Sequence, residues 1–190
     1  MTITIYAILI AYSIAQKFKE VRDHLETLLD NHEELNNIQI IQYRHTQVID
    51  MVGASDLMLS PYIFLVYVFT VPGTCVVLRY LIFSELSNIE RVTLVNWIIS
   101  LLLVCIAITL ISGKIVVNAH EPEQLLHKIM NLPLNSFYKL QINLFLQRLH
   151  GPPIGLTCLG IFVVTYGTLY NVFSMIASYL LMYVQYSKSN

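Results

Sequence analysis

His120, Glu123 and His127 fall on one face of a predicted helix, and their side chains are of the types that bind transition metals. An imidazole nitrogen and a carboxylate oxygen are common ligands of Zn²⁺. The sequence places no further firm ligand beside them, so we interpret them as ordinary surface residues of a cytosolic helix. We therefore predict no metal site and no cofactor.

No other pattern indicates catalysis. The sequence contains no nucleophile motif, no glycine-rich phosphate loop and no His-Glu-x-x-His motif. Cys75, Cys105 and Cys158 lie in separate apolar runs, so neither a disulfide framework nor a thiolate zinc site is predicted. We predict that the chain is not an enzyme.

A different kind of chemistry is suggested by the segment from Gly151 to Ser187, which is 37 residues long and contains no Asp, Glu, Lys or Arg. At about 100° per residue, six small or polar side chains lie within about 60° of one another on one helix face. They are Gly160, Gly167, Asn171, Ser174, Ser178 and Gln185.

This small, polar face has two interpretations. Gly and Ser let membrane helices approach closely, and Asn or Gln then form hydrogen bonds between helices. Alternatively, symmetric copies direct the face at a shared axis, so that hydroxyls and amides line a path for water and ions. The pattern alone permits both and favours packing.

Aromatic rings offer a third kind of chemistry. Trp97 is the single tryptophan and lies about one turn inside the outer end of a predicted span, where a membrane-interface role is the simpler interpretation. Alternatively, its ring forms the wall of a ligand pocket with Tyr62, Tyr67 or Tyr80, since aromatic faces bind sugars and amines by stacking and cation–π contacts. Trp97, Tyr62 and Tyr67 are our candidate ligand-binding residues.

Three charged residues lie near the predicted spans. Asp50 and Asp56 flank the start of one of them, where a carboxylate either attracts cations to a pore mouth or caps a helix; capping is the favoured role. Arg79 is expected to snorkel or to pair near the outer surface.

The elements that position these residues are predicted to be membrane helices. Apolar residues make up 56% of the chain and charged residues 12%, against roughly a quarter charged in soluble domains. Uncharged runs of 22 residues cover Leu57–Leu78 and Val92–Gly113, and about 20 residues suffice to cross a bilayer. Met1–Gln16, with 16 uncharged residues, is short for a complete span.

We therefore predict an all-α, polytopic helical membrane protein with four spans in a single membrane domain, 1–190. Its predicted segments are a partial span (1–16), a cytosolic amphipathic helix (17–52), two spans (57–83 and 92–117), a cytosolic anchor helix (118–150) and a final pore-type span (154–187). Asn36-Asn37 suggests a break in the first cytosolic segment, because Asn favours turns and caps.

The basic residues indicate the orientation. Lys and Arg number four between residues 17 and 50, two from Arg79 to Arg91, four from Lys114 to Arg148, and one at Lys188. The positive-inside rule then places both termini outside the cell. The net charge of −1 and the lack of a basic cluster exclude nucleic acid as a partner.

The last span ends in a recognisable motif. Residues 178–186 read Ser-Tyr, five hydrophobic residues, then Gln-Tyr. This resembles the C-terminal signature of the arthropod gustatory receptor family, which has Thr-Tyr, five hydrophobic residues and Gln-Phe. Residues 158–162, Cys-Leu-Gly-Ile-Phe, are similar to that family's final helix. The two departures, Ser178 for Thr and Tyr186 for Phe, keep the hydroxyl and the ring.

The resemblance implies a ligand-gated cation channel of the plasma membrane, a homo- or hetero-tetramer with related receptor subunits that detects a small-molecule tastant. The final helix would line the pore, and the ligand would bind between the outer halves of the earlier spans. The residues implied at the pore or gate are Asn171, Ser174, Ser178, Tyr179, Leu181, Gln185 and Tyr186.

Members of that family have seven membrane helices, and the four spans predicted here correspond to the last part of such a receptor channel. We therefore expect a truncated or fragmentary form. The alternative is a non-conducting four-helix membrane protein or scaffold subunit, whose polar face only packs helices.

Overall fold

The computed structural model describes residues 2–30, 38–132 and 135–189. Within them the predicted all-α class is confirmed, with one short antiparallel hairpin in addition. The elements are α1 (Thr2–Asp30), α2 (Ile38–Phe83), α3 (Asn88–His120), α4 (Pro122–Met130), α5 (Ser136–Leu149), β1 (Thr157–Cys158), β2 (Phe162–Val163) and α6 (Tyr166–Ser189).

Within the described residues, three helical stretches are long and apolar enough to cross a membrane: Ile38–Phe83, Asn88–Met130 and Tyr166–Tyr186. Residues 2–16 of the predicted partial span, 1–16, fall in α1, a helix that continues unbroken into the charged residues before Asp30. The difference between four predicted spans and three such helices follows from this mixed composition of α1.

The first three helices form the main core by packing on one another. The contact face of α1 carries small and aliphatic side chains at helical spacing: Ala7, Ala11, Ile14, Ala15 and Phe18 are all buried. Asn118 of α3 is also buried, and its Nδ2 donates a hydrogen bond of 3.0 Å to the carbonyl oxygen of Ala15. This bond satisfies an amide that would otherwise be stranded in an apolar interface.

At their charged ends the helices form what we call the basal bundle, which comprises residues 17–30 of α1, residues 38–52 of α2, α4 and α5. His45 is buried here between the rings of Phe18 and Phe145, at centroid distances of 5.4 and 5.3 Å. Its Nε2 lies 3.2 Å from the carbonyl oxygen of Ala119 and donates to it. The predicted break at Asn36-Asn37 lies outside the described residues.

An ion pair ties α1 to the junction of α3 and α4. Arg22 donates from Nη1 to the Glu121 carboxylate at 3.0 Å and from Nη2 to Asp23 at 2.9 Å. These two carboxylates, Asp23 first, raise the pKa of Arg22. Partial exposure of all three side chains limits what the pair adds to stability.

The turn between α2 and α3 ends in a capping box. The backbone N–H of Glu90 donates to Ser87 Oγ at 3.4 Å, and the Ser87 backbone N–H donates back to the Glu90 carboxylate at 2.9 Å. Two backbone N–H groups at the start of α3 are satisfied in this way. The connection is therefore short and well defined, as expected for a hairpin of two long helices.

The final helix begins later than the predicted span of 154–187, because residues 154–165 form a hairpin. The turn of this hairpin holds Leu159 at φ 51° and Gly160 at φ 70°, so two consecutive residues are left-handed and a helix cannot continue through them. Ile161 donates its backbone N–H to the carbonyl oxygen of Cys158 at 3.0 Å across the turn. The helix then starts at Tyr166.

Gly155 allows the hairpin to lie directly against α3. A Cβ atom at this position would be 2.6 Å from Val116 Cγ2 and 2.8 Å from Val163 Cγ1, well inside van der Waals contact. Both neighbours are β-branched and have few alternative rotamers. The close approach of hairpin and helix therefore depends on the missing side chain.

We expect Gly155→Ala to lower the free energy of unfolding by about 1–3 kcal/mol, because the added methyl overpacks this contact. Gly53→Ala is the matched control: Gly53 lies inside α2 with nothing within 4 Å of an added Cβ, so alanine should stabilise the helix by about 0.5–1 kcal/mol. Denaturant titration in detergent micelles measures both. Changes of the same sign at the two positions would contradict the packing described for the hairpin.

Candidate functional site: the final helix and its hairpin

Helix α6 packs on α2 and α3 through one face. Thr168, Val172 and Ile176 are buried on this face, and Leu180 and Tyr183 continue it half-buried. Their spacing of three or four residues follows the helical repeat. We call these five residues the inner face of α6.

The polar side chains of α6 lie on the other side of the helix. Asn171, Ser174, Ser178 and Gln185 are all exposed, and we call them the polar stripe. At about 100° per residue, the centre of the stripe is roughly 150° from the centre of the inner face. Gly167 lies on the same side, whereas Gly160 belongs to the hairpin turn and not to the helix. The stripe therefore does not pack this helix within its own chain.

The other predicted gate residues divide between two faces. Leu181 is 64% exposed and lies beside the polar stripe. Tyr179 and Tyr186 are 42% and 70% exposed but project about 100° away from the stripe. A path along the stripe would therefore contact Leu181 and not these two rings.

Tyr183 connects the far end of α6 to α2. The guanidinium carbon of Arg79 lies 4.7 Å from the centroid of the Tyr183 ring, and the Phe83 ring is 6.0 Å from it. This is a cation–π contact, so Arg79 pairs with an aromatic ring. Its position near the outer surface stays a prediction. No sequence pattern distinguishes Tyr183 from the other hydrophobic residues of the motif, 180–184.

We expect the Arg79–Tyr183 contact to contribute about 0.5–1 kcal/mol, the usual value for an exposed cation–π pair. A double-mutant cycle with Arg79→Met and Tyr183→Leu isolates this coupling from the separate effects of the two substitutions. Arg79→Lys is the matched control and should retain part of the coupling. A coupling energy of zero would show that the two groups are only neighbours.

Asp56 holds the hairpin to α2. Its Oδ1 accepts the backbone N–H of Thr157 at 2.5 Å, and its Oδ2 accepts the Thr157 hydroxyl at 2.7 Å. The favoured capping role for Asp50 and Asp56 is wrong, because both residues lie inside the continuous helix α2 and no helix starts there. Asp50 is exposed, whereas Asp56 binds a segment 101 residues away in the sequence.

Ser60, one turn further along α2, completes this attachment. Its hydroxyl oxygen accepts the backbone N–H of Leu159 at 2.6 Å and lies 3.4 Å from the Thr157 hydroxyl. Thr157 Oγ1 also accepts the backbone N–H of Gly160 at 3.0 Å. The strained turn is thus held by side chains of α2 and of the hairpin itself. Because α6 follows this hairpin directly, Asp56 and Ser60 fix where α6 begins.

A groove of about 700 Å³ lies between α2, the hairpin and α6. Its walls are mostly apolar, and Asn171 and Thr168 of α6 supply polar groups at one side. The apolar lining comprises Phe64, Val68, Val71, Pro72, Ile161, Phe162, Val163, Val172 and Met175. A largely apolar concavity with few polar groups is typical of a small-molecule site.

The three candidate ligand-binding rings lie in separate places. Tyr67 is buried, lines the groove and forms a 2.6 Å hydrogen bond with the Thr109 hydroxyl of α3. Tyr62 instead contacts α1, with its hydroxyl 2.7 Å from Thr4 Oγ1. Trp97 packs its ring against Gly73, where an added Cβ would be 3.3 Å from the ring. The structure therefore places Tyr67 alone of the three in the groove.

Comparison with known proteins gives one family. A family model described as 7tm Chemosensory receptor matches residues 1–190, which is the whole of the chain. No curated protein sequence matches the chain significantly.

Proposed function

Since the chain belongs to the 7tm chemosensory receptor family, we propose that it is a subunit of a ligand-gated cation channel that detects small molecules at the plasma membrane. Family membership supports a chemoreceptor role, and the long apolar helices support a membrane location. In this proposal α6 lines the ion path, and copies of the chain, alone or with related receptor subunits, form a tetramer with extracellular C-termini.

The observation that carries the proposal is the position of the polar stripe, roughly opposite the face that packs α6 on α2 and α3. Amides and hydroxyls that face hydrocarbon lack hydrogen-bond partners, which is unfavourable. A symmetric assembly that directs four such faces at one axis gives them water and one another as partners. The same assembly creates a polar path along the axis.

Uncharged groups suit a weakly selective path for cations. The oxygen atoms of Ser174, Ser178, Asn171 and Gln185 can replace part of the hydration shell of a passing ion. Leu181, exposed beside them, provides an apolar constriction, and such constrictions close a pore by excluding water. Opening then requires only that α6 rotate or move outward enough to widen this point.

The ligand site in this proposal is the groove between α2, the hairpin and α6. A molecule bound there contacts both α2 and α6, the proposed pore helix. It favours whichever arrangement of the two helices gives it more contact, and this preference shifts the equilibrium between closed and open states. The aromatic and apolar lining fits a compact, largely apolar ligand that carries one or two hydrogen-bonding groups.

Whole-cell recording tests the proposal with the chain expressed alone and with related receptor subunits. We expect cation currents evoked by at least one compound in a panel of compact, largely apolar molecules that carry one or two hydrogen-bonding groups, such as alkaloid amines. The channel proposal would be contradicted if the chain reached the cell surface, both alone and with related subunits, but gave neither a ligand-evoked current nor a basal current.

A large side chain in the groove should weaken the current that the ligand evokes. Val68→Trp places an indole ring in the groove. Val76→Trp is the matched control, because it adds the same ring to the same helix outside the groove. The two valines are similarly exposed, at 43% and 50%. We expect the concentration for half-maximal current to rise at least about tenfold with Val68→Trp and to stay unchanged with Val76→Trp. Equal effects would place the ligand elsewhere.

A further inference from the structure

The basal bundle brings together three metal-ligating side chains from two helices. Glu123 and His127 lie one turn apart on α4, and His150 directly follows the end of α5. One ligand atom from each residue lies within 4.8 Å of the others. The rings of His127 and His150 are perpendicular, with their centroids 6.5 Å apart.

One of these distances already matches the separation of two ligands around a bound ion. His150 Nε2 lies 3.4 Å from Glu123 Oε1. Tetrahedral Zn²⁺ with bonds of about 2.0–2.1 Å separates neighbouring ligand atoms by about 3.4 Å. His127 is exposed, so a change of its side-chain rotamer can bring a ring nitrogen towards the same point.

A hydrogen bond to the backbone also orients the His150 ring for metal binding. Its Nδ1 lies 2.8 Å from the carbonyl oxygen of Leu146, and since a carbonyl only accepts, Nδ1 carries the proton. In the neutral imidazole the lone pair is then on Nε2, the nitrogen that faces Glu123. Metal-binding histidines usually donate their second ring nitrogen in this way, which fixes the tautomer and the ring orientation.

We propose that Glu123, His127 and His150 bind a divalent transition-metal ion, with Zn²⁺ as the best fit. Two imidazoles and one carboxylate make up three ligands, and water completes the tetrahedron. The sequence pattern groups His120 with Glu123 and His127, but in the structure the ligand atoms that lie within 4.8 Å of one another belong to Glu123, His127 and His150. The ligand that the sequence did not place is His150.

A bound ion would clamp α4 to the end of α5. Gly151, Pro152 and Pro153 follow at once and lead into the hairpin that positions α6. The site thus lies at the connection between the basal bundle and the final helix. This inference concerns metal binding alone and does not depend on whether the chain conducts ions.

Purified full-length chain in detergent micelles provides the test, with Zn²⁺ competed against a chromophoric chelator and Co²⁺ used as a spectroscopic probe. We expect one ion per chain and the visible absorption bands of tetrahedral Co²⁺. His150→Ala, His127→Ala and Glu123→Gln should each weaken Zn²⁺ binding at least about tenfold. His120→Ala is the matched control and should bind as the wild-type chain does.

Thermal unfolding gives an independent measurement on the same samples. Zn²⁺ should raise the Tm of the wild-type chain and of His120→Ala, but not that of the three ligand variants, because only a ligand bound to the folded state stabilises it. Circular dichroism checks that each variant is folded. Absence of wild-type binding at micromolar Zn²⁺ would mean that Glu123 and His150 form an ion pair only. Equal loss of affinity in His120→Ala would also overturn the proposal.

Discussion

Asp56→Ala is expected to release the hairpin from α2 and to lower the free energy of unfolding by about 3 kcal/mol. The substitution removes both oxygens that accept from Thr157, at 2.5 and 2.7 Å. Hydrogen bonds to a charged group contribute about 1.5–3 kcal/mol each, and the loss is largest where the partner is left unsatisfied. The Thr157 backbone N–H is then without an acceptor beside a half-buried helix surface.

Asp56→Ala should also have a large effect on the ligand-evoked current. Without this attachment the start of α6 is no longer fixed on α2, so we expect ligand-evoked current to fall to near zero while the chain still reaches the membrane. Asp50→Ala is the matched control, since Asp50 is an exposed carboxylate of the same helix. It should change neither current nor stability. Wild-type behaviour of Asp56→Ala in both assays would refute the role of the hairpin.

Ser178→Leu is expected to reduce single-channel conductance at least about tenfold. Ser178 lies near the centre of the polar stripe, and a leucine there replaces a hydroxyl by an apolar group in the proposed ion path. An apolar ring at a narrow point excludes water and so blocks ions. Because Ser178 is exposed in the single chain, the substitution should leave the fold intact.

Ala177→Leu is the control for this prediction. Ala177 is exposed on the same helix, adjacent in sequence, and points about 100° away from Ser178. It receives the same new side chain but outside the stripe, so conductance should stay close to the wild-type value. Both variants are compared by single-channel recording. Equal conductance in the two variants would remove Ser178 from the ion path.

Much of the helical architecture was predictable, because it depends on local composition. Uncharged runs of 22 residues placed two spans inside α2 and α3, and apolar residues at helical spacing indicated the helices of the basal bundle. The partial span was the weak point, since α1 joins an apolar half to a charged half in one unbroken helix.

The hairpin was not predictable from periodicity. Residues 154–165 contain no charged residue, and neither do residues 166–187 of the helix that follows, so charge does not separate the two segments. Their conformation depends on Asp56 and Ser60, about one hundred residues earlier in the chain, and on a turn with two left-handed residues. Such long-range bonds leave no local signal. The only hint in this segment is Gly160 in the turn, since glycine readily adopts positive φ.

In the candidate sites, too, features that depend on local spacing were predictable and features that depend on long-range packing were not. Helical spacing correctly grouped Asn171, Ser174, Ser178 and Gln185 on one face, because α6 is regular over that range. Spacing could not reveal the contact of Arg79 with Tyr183 or the approach of His150 to Glu123, which depend on how separate helices pack. The assignment of Trp97 and Tyr62 to a ligand stays a prediction.

Accessibility labelling of α6 tests the central claim most directly. Single cysteines replace Asn171, Ser174, Ser178 or Gln185 in a chain whose three native cysteines, all buried, are changed to alanine. Ile176→Cys and Leu180→Cys, on the inner face and outside the groove, are the controls. We predict that a membrane-impermeant thiol reagent modifies the four stripe positions in the assembled protein and spares the two controls. Protection of all four would mean that the stripe packs helices in a non-conducting assembly, and would contradict a pore.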